Sequence, residues 1–265
     1  MQTLNAPIGV MDSGVGGLSV VKALRTVLPG EDILYFGDTA NCPYGNKSRE
    51  ELLSLSRNML NFLQEKGVKC VALACNTTSS LADVLRKQFT TPIITVAECA
   101  ADAIGRLGLR QVGVLATVAT VHGGIYESRI RAVSPATAVC SVGSYHLARL
   151  VEEHSTEDSA IEQEIQGCME KLLEQQNVDH VILGCTHYPL VKELFERLYP
   201  NICFMDPAPY QAVNVKSFLK EHALQKDTLT SPKLTIYTTG ETEEFYRFCR
   251  QNELDRHYVL KIEKI

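Results

Sequence analysis

Two of the nine cysteines in this 265-residue chain lie in segments able to do chemistry. Cys75 stands in ALACNTTS and Cys185 in ILGCTHYP, each closing a short apolar run and opening a polar one. A thiol between a strand and a helix meets backbone N–H groups and the positive end of the helix dipole, which favour a thiolate. Asn76 and Thr77 after the first thiol, and Thr186 after the second, are donors suited to a carboxylate. His187 adds a group whose charge changes near neutral pH. Such thiols can act as a general acid and a general base. The ordinary alternatives are a packed core thiol with Asn-Thr as a helix cap, and a structural thiol with a surface histidine. Cys-x-His could also suggest a Cys/His hydrolase pair, but residues this close rarely point the same way on a loop.

A third segment, DSGVGG at 12–17, joins a strand to a helix. Its glycines permit tight turning and close backbone approach to a ligand. A dinucleotide fingerprint would need Gly or Ala at Ser19, and a P-loop would need Gly-Lys-Ser/Thr. Asp12 is placed either to orient a nucleophile or bind an ammonium group, or simply to serve as a turn residue. The loop DTANCPYG brings Tyr44 and Gly45 to the same region.

Alternating elements must position these residues. Apolar runs at 8–11, 33–36, 70–74, 93–96, 112–116, 138–142, 181–184, 203–205 and 234–238 read as strands, mostly parallel and buried. Helical spacing occupies 18–28, 49–66 and 211–222, with Ser48 and Glu51 as a capping box. Pro189 suits the first turn of a helix, Pro207 and Pro209 punctuate the chain, and 226–232 reads as a loop. The stretches VKCVALACNTTSSLADVLRKQFTTPIITV and VDHVILGCTHYPLVKELFERLYPNICFMD repeat one order of features: strand, cysteine, threonine, helix, strand. IGVMDS and VGVLAT precede them as a second matching pair. The repeat predicts an α/β protein of two similar lobes, each a mostly parallel sheet flanked by helices. Ligands of such sheets bind beyond the strands' carboxyl ends, so facing lobes set one thiol on each side of a shared cleft.

The composition, 45% hydrophobic and 22% charged with a net charge of −5, is that of a soluble globular chain and argues against nucleic-acid binding. No apolar run has the roughly 18–20 residues of a membrane span, and the N-terminus lacks the features of a secretory signal. The expectation is a cytoplasmic protein with reduced cysteines and no membrane association. No C-x-x-C pair or zinc-finger spacing appears, so neither a metal nor an organic cofactor is expected.

MDSGVGGLSV, GDTANCPYGNKS, ALACNTTS, VLATVATV and ILGCTHYPL, in that order, resemble the glutamate racemase family of the aspartate/glutamate racemase superfamily over nearly the whole chain. The resemblance implies cofactor-independent interconversion of L- and D-glutamate, a small-molecule substrate, with the D-isomer feeding peptidoglycan synthesis. It implies that Cys75 and Cys185 are the acid/base pair, Cys75 acting on the D-isomer and Cys185 on the L-isomer. Asp12, Ser13, Tyr44, Gly45, Asn76, Thr77, Thr186 and His187 then bind or flank the substrate, and Thr117 and Thr120 are further pocket donors. Glu152, in LVE, resembles the family's acid near the second cysteine. On this reading Asp12 assists Cys75, while His187 and Glu152 assist Cys185. The sequence departs from the family at Ser144-Tyr145, where Cys-Pro is usual, and at Gly123, where serine is common. The family fold implies a first lobe of 1–97 plus 208–265, a second of 98–207, and a possible homodimer. A racemase for another amino acid such as aspartate, a metabolite-binding or thiol-sensing protein, and a cysteine hydrolase remain the alternatives.

Overall fold

A computed structural model of the chain describes residues 3–153, 159–226 and 231–265. Its strands are Ile8–Asp12 (β1), Ile33–Gly37 (β2), Cys70–Leu73 (β3), Ile93–Thr95 (β4), Gln111–Thr117 (β5), Ala138–Ser144 (β6), His180–Gly184 (β7), Cys203–Met205 (β8), Lys233–Thr238 (β9) and Val259–Lys264 (β10). They form two sheets, ordered β10-β9-β2-β1-β3-β4 and β6-β5-β7-β8, with every pairing parallel. The order 2-1-3-4 in the first sheet recurs as 6-5-7-8 in the second. The repeated sequence segments are therefore repeated topology.

Parallel strands covered on both faces read as continuous apolar runs, and β1, IGVMD, is buried at all five positions. Alternate residues then feed different cores: Ile8 and Val10 pack with Leu18, Val21 and Leu24, whereas Met11 packs with Leu52, Leu60 and Leu63. The second sheet repeats this division, with Leu115 on one face and Val112, Val114 and Ala116 on the other.

The capping box forms as expected, Ser48 and Glu51 opening the helix Arg49–Glu65. The run at 93–96 ends one residue early. Thr95 accepts the backbone N–H of Glu98 at 3.2 Å, so Val96 begins the helix Val96–Leu107. The helix expected at 211–222 spans Ala208–Glu221, because Pro207 caps it and Pro209 fits its first turn, where a missing N–H costs nothing. Its Gln211 amide donates to the carbonyls of Leu73 and Ile94 at 3.0 and 2.8 Å, tying the helix to the ends of β3 and β4. The loop expected at 226–232 lies partly outside the described residues. Among those residues, no helix is long and apolar enough to cross a membrane, and all nine cysteines are free thiols.

Candidate active site

In each sheet the strand order reverses beside the central strand, and the crevice beyond that point is where such sheets bind ligands. Asp12 ends β1, Cys75 follows β3, Thr117 ends β5 and Cys185 follows β7. The four meet. Cys75, Asn76, Thr77, Ser13, Tyr44 and Gly45 from the first sheet's loops line one small cavity with Thr117, Cys185, Thr186 and His187 from the second's. Asp12 and Thr120 stand behind that lining and bond to it, and Glu152 lies close to His187 beside it.

Cys75 is 5% exposed and caps a helical turn of only four residues, Asn76–Ser79. Its Sγ lies 4.0 Å from the Ser13 hydroxyl. Burial, then the charge of Asp12, push this thiol up to about 12 against the opposing hydrogen bonds from Thr78. The expected thiolate-favouring helix terminus is thus outweighed, because one turn supplies too small a dipole to offset desolvation.

Cys185 and His187 face each other, Sγ to Nδ1 at 3.7 Å. Contrary to the expectation for residues this close, the two side chains point the same way because the chain turns tightly here: the N–H of Tyr188 bonds back to the Cys185 carbonyl at 3.1 Å. The imidazole is almost wholly buried, and its Nε2 lies 3.9 Å from Glu152 Oε2. That is too long for a hydrogen bond, and Nε2 has no hydrogen-bond partner among the described residues. Burial alone lowers the His187 pKa, but Cys185 and Glu152 outweigh it and hold the value well above the usual 6.5. Glu152 shows the converse: burial favours its neutral form, yet His187 and the Cys42 thiol bring its pKa below the ordinary carboxylate value.

Asp12 is fully buried, and burial raises its pKa despite the charge of His187 and N–H groups of the glycine loop. Its Oδ2 accepts from Gly17 at 2.9 Å and Gly14 at 3.3 Å, and from the Thr186 hydroxyl at 3.3 Å. These hydrogen bonds do not run to Cys75; the glycine loop serves to hold the carboxylate. Gly16 is required by contact rather than by an unusual φ, since a Cβ there would lie 2.9 Å from the Thr186 main chain.

On the opposite side, Thr77, Thr117 and Thr120 form a closed set of hydroxyls, with separations of 3.0, 3.2 and 2.8 Å. The set crosses from one sheet's loops to the other's. Tyr44 donates its hydroxyl to Asp38 at 2.5 Å, so it holds the loop in place and presents ring rather than OH. Tyr126, which sequence reasoning missed, donates to Asn76 Oδ1 at 2.6 Å. That leaves the Asn76 NH2 as the end offered to the cavity.

Ser144 and Gly123, at the two departures from the family pattern, have local roles; nothing in the structure explains the exposed Tyr145. Ser144 accepts the N–H groups of His146 and Leu147 at 3.1 and 2.9 Å, capping the helix Leu147–Glu153 that carries Glu152. Gly123 sits where a Cβ would be 2.8 Å from that of Ser80.

The cavity measures about 20 Å3, enough for one water molecule, which needs about 10–15 Å3 of such space, and too small for an amino acid. Beside it opens a cleft of about 1040 Å3 that reaches Glu152 and His187. The small cavity must widen to hold an amino acid.

The family model described as Asp/Glu/Hydantoin racemase matches residues 8–213. A glutamate racemase of Carboxydothermus hydrogenoformans is 37% identical over 242 residues, covering 91% of this chain and 89% of the relative. Glutamate racemase 1 of Caldanaerobacter subterraneus subsp. tengcongensis is 35% identical over 261 residues, 97% of each. The crystal structure of glutamate racemase from Francisella tularensis in complex with D-glutamate superposes with a TM-score of 0.89 at 31% identity, covering 99% of this chain and 98% of that one.

Proposed function

Because the chain belongs to the Asp/Glu/Hydantoin racemase family and is an amino-acid racemase, we propose that it interconverts L- and D-glutamate through Cys75 and Cys185. The observation that carries this reading is that both thiols occupy the same place in the repeated strand order and line one cavity. The two curated relatives described above, both glutamate racemases, support the choice of substrate.

In the mechanism, the substrate carboxylate sits among the Asn76 amide, the Thr77 and Thr117 hydroxyls and nearby backbone N–H groups. These preorganised donors stabilise the charge that develops when the α-proton leaves. One thiolate takes that proton, leaving its bonding electron pair on the α-carbon and carboxylate. The thiol on the opposite face then delivers a proton, and the two sulfurs exchange roles in the reverse direction. His187 lies within reach of the Cys185 proton. Cys75, held as a thiol by burial, gains from the positive ammonium group of an arriving substrate. The lobes that open and close are residues 1–97 with 208–265, and residues 98–207. The same reading places the enzyme in the cytoplasm, supplying D-glutamate for peptidoglycan.

The test is incubation with each enantiomer of glutamate and aspartate in D2O, without added cofactor, followed by circular dichroism and α-deuterium incorporation. Loss of optical activity with deuterium uptake from both glutamate enantiomers is expected. Exchange confined to aspartate would overturn the substrate, and activity restored only by added pyridoxal phosphate would overturn the mechanism.

A further inference from the structure

Cys42 was assigned no role by the sequence, yet it faces the acid–imidazole pair. Its thiol donates to Glu152 Oε2 at 3.5 Å, and Glu152 Oε2 lies 3.9 Å from His187 Nε2. The sulfur, a carboxylate oxygen and the imidazole nitrogen all lie within 4.8 Å of one another. In a tetrahedral zinc site, bond lengths of about 2.0–2.3 Å place neighbouring ligand atoms about 3.3–3.6 Å apart. The sulfur–oxygen separation already matches, and the oxygen–nitrogen separation is about half an ångström long by the same comparison. The second observation is the orphaned Nε2. It belongs to an almost wholly buried ring, points into the cluster, and has no hydrogen-bond partner among the described residues.

We propose that Cys42, Glu152 and His187 form a three-ligand site for a divalent cation of the zinc class, and that its occupation switches the enzyme off. Sulfur, imidazole and carboxylate together suit a borderline-soft ion, and the adjoining cleft admits water as the fourth ligand. On binding, the Cys42 S–H bond and the His187 Nε2–H bond break, both protons go to solvent, and sulfur–metal and nitrogen–metal bonds form, with no change of oxidation state. Coordination through Nε2 fixes the other ring nitrogen, Nδ1, as the N–H donor, turned toward Cys185. His187 can then no longer exchange a proton with that thiol. Cys42 follows β2, Glu152 follows β6 and His187 follows β7, so the ion also ties a segment beyond one sheet to two segments beyond the other.

The probe is Co2+ titrated into the full chain after chelator treatment, with no substrate present, so that its outcome is independent of the glutamate assignment. One equivalent is expected to bind, with intense thiolate-to-cobalt charge transfer in the near ultraviolet. Cys42→Ala and the size-conserving Cys42→Ser, each checked for folding by circular dichroism, should lose the band and bind at least tenfold more weakly. Cys203→Ala, at an exposed thiol, should keep both, as should Cys75→Ser and Cys185→Ser. In turnover assays Zn2+ should inhibit the wild type reversibly, with the inhibitory concentration raised at least tenfold in either Cys42 variant. Absence of Co2+ binding to the wild type, a band that survives in a folded Cys42 variant, or a band lost with Cys75 or Cys185 overturns the proposal.

Discussion

Asp12, at the end of β1, and Thr186, just beyond β7, are joined by a hydrogen bond of 3.3 Å that runs from one sheet to the other. The carboxylate is fully buried and the hydroxyl is 7% exposed. Removing the donor leaves a buried acid with fewer partners. Thr186→Val is therefore expected to cost about 1.5–3 kcal/mol, the range for a hydrogen bond to a charged group. Reversible denaturant unfolding measures it, and a loss under about 0.5 kcal/mol, the size of a neutral surface change, contradicts the account.

Cys75→Ser and Cys185→Ser should each abolish racemisation without unfolding the protein, because a serine hydroxyl is far too weak an acid to share the proton. Each variant nevertheless keeps one base. Cys185→Ser should still eliminate HCl from the D-form of a β-chloro substrate analogue through Cys75, and Cys75→Ser from the L-form through Cys185. Chloride release by each variant from each enantiomer reads this directly. Racemisation surviving in both folded variants defeats the two-thiol mechanism.

His187 contacts Cys185 at 3.7 Å, so its loss should be felt unequally. His187→Asn is expected to lower kcat in the L-to-D direction by about 10²-fold or more, the low end for a positioned acid–base group, and less in the other. Equal, small effects on both directions would assign the ring a structural role.

The His187 pKa is raised above 6.5 and the Glu152 pKa is lowered below 4.5. A raised histidine gives stability that is full below about pH 6.5 and drains away as pH rises through the folded value. A lowered glutamate gives stability that is present above about pH 4.5 and is lost as pH falls through its folded value. The stability difference between wild type and Glu152→Gln should therefore be greatest between those two limits and shrink on either side. The His187 ring resonances of the variant should titrate at lower pH than those of the wild type. A pH-independent difference, or an unshifted titration, contradicts the pairing.

The parts of this fold legible in the sequence were those with local signatures. Apolar runs marked the buried strands, and Cys75 and Cys185 stood out because each ends such a run before polar residues. Val96 was misplaced because a β-branched residue after two isoleucines reads as strand, while the Thr95 cap decides otherwise. Tyr126 and Cys42 were invisible as partners for a different reason. They meet Asn76 and Glu152 across 50 and 110 residues of chain, and no spacing rule reaches that far. The Cys185–His187 contact was local but depended on a turn that the sequence did not announce.

The two thiols have unequal company: a hydroxyl 4.0 Å from Cys75, and an imidazole 3.7 Å from Cys185. In an achiral solvent, mirror-image amino acids have the same free energy, so the equilibrium constant of racemisation is one. The Haldane relation then requires kcat/KM to be identical in the two directions, whatever the wall on either side of the cleft is made of. The lopsided site can express itself only by trading affinity against turnover, with a higher kcat for one enantiomer matched by a proportionately higher KM. Drift in either lobe can thus alter which isomer saturates the enzyme first, but never which one finally accumulates; a one-way supply of either isomer must come from whatever reaction removes it.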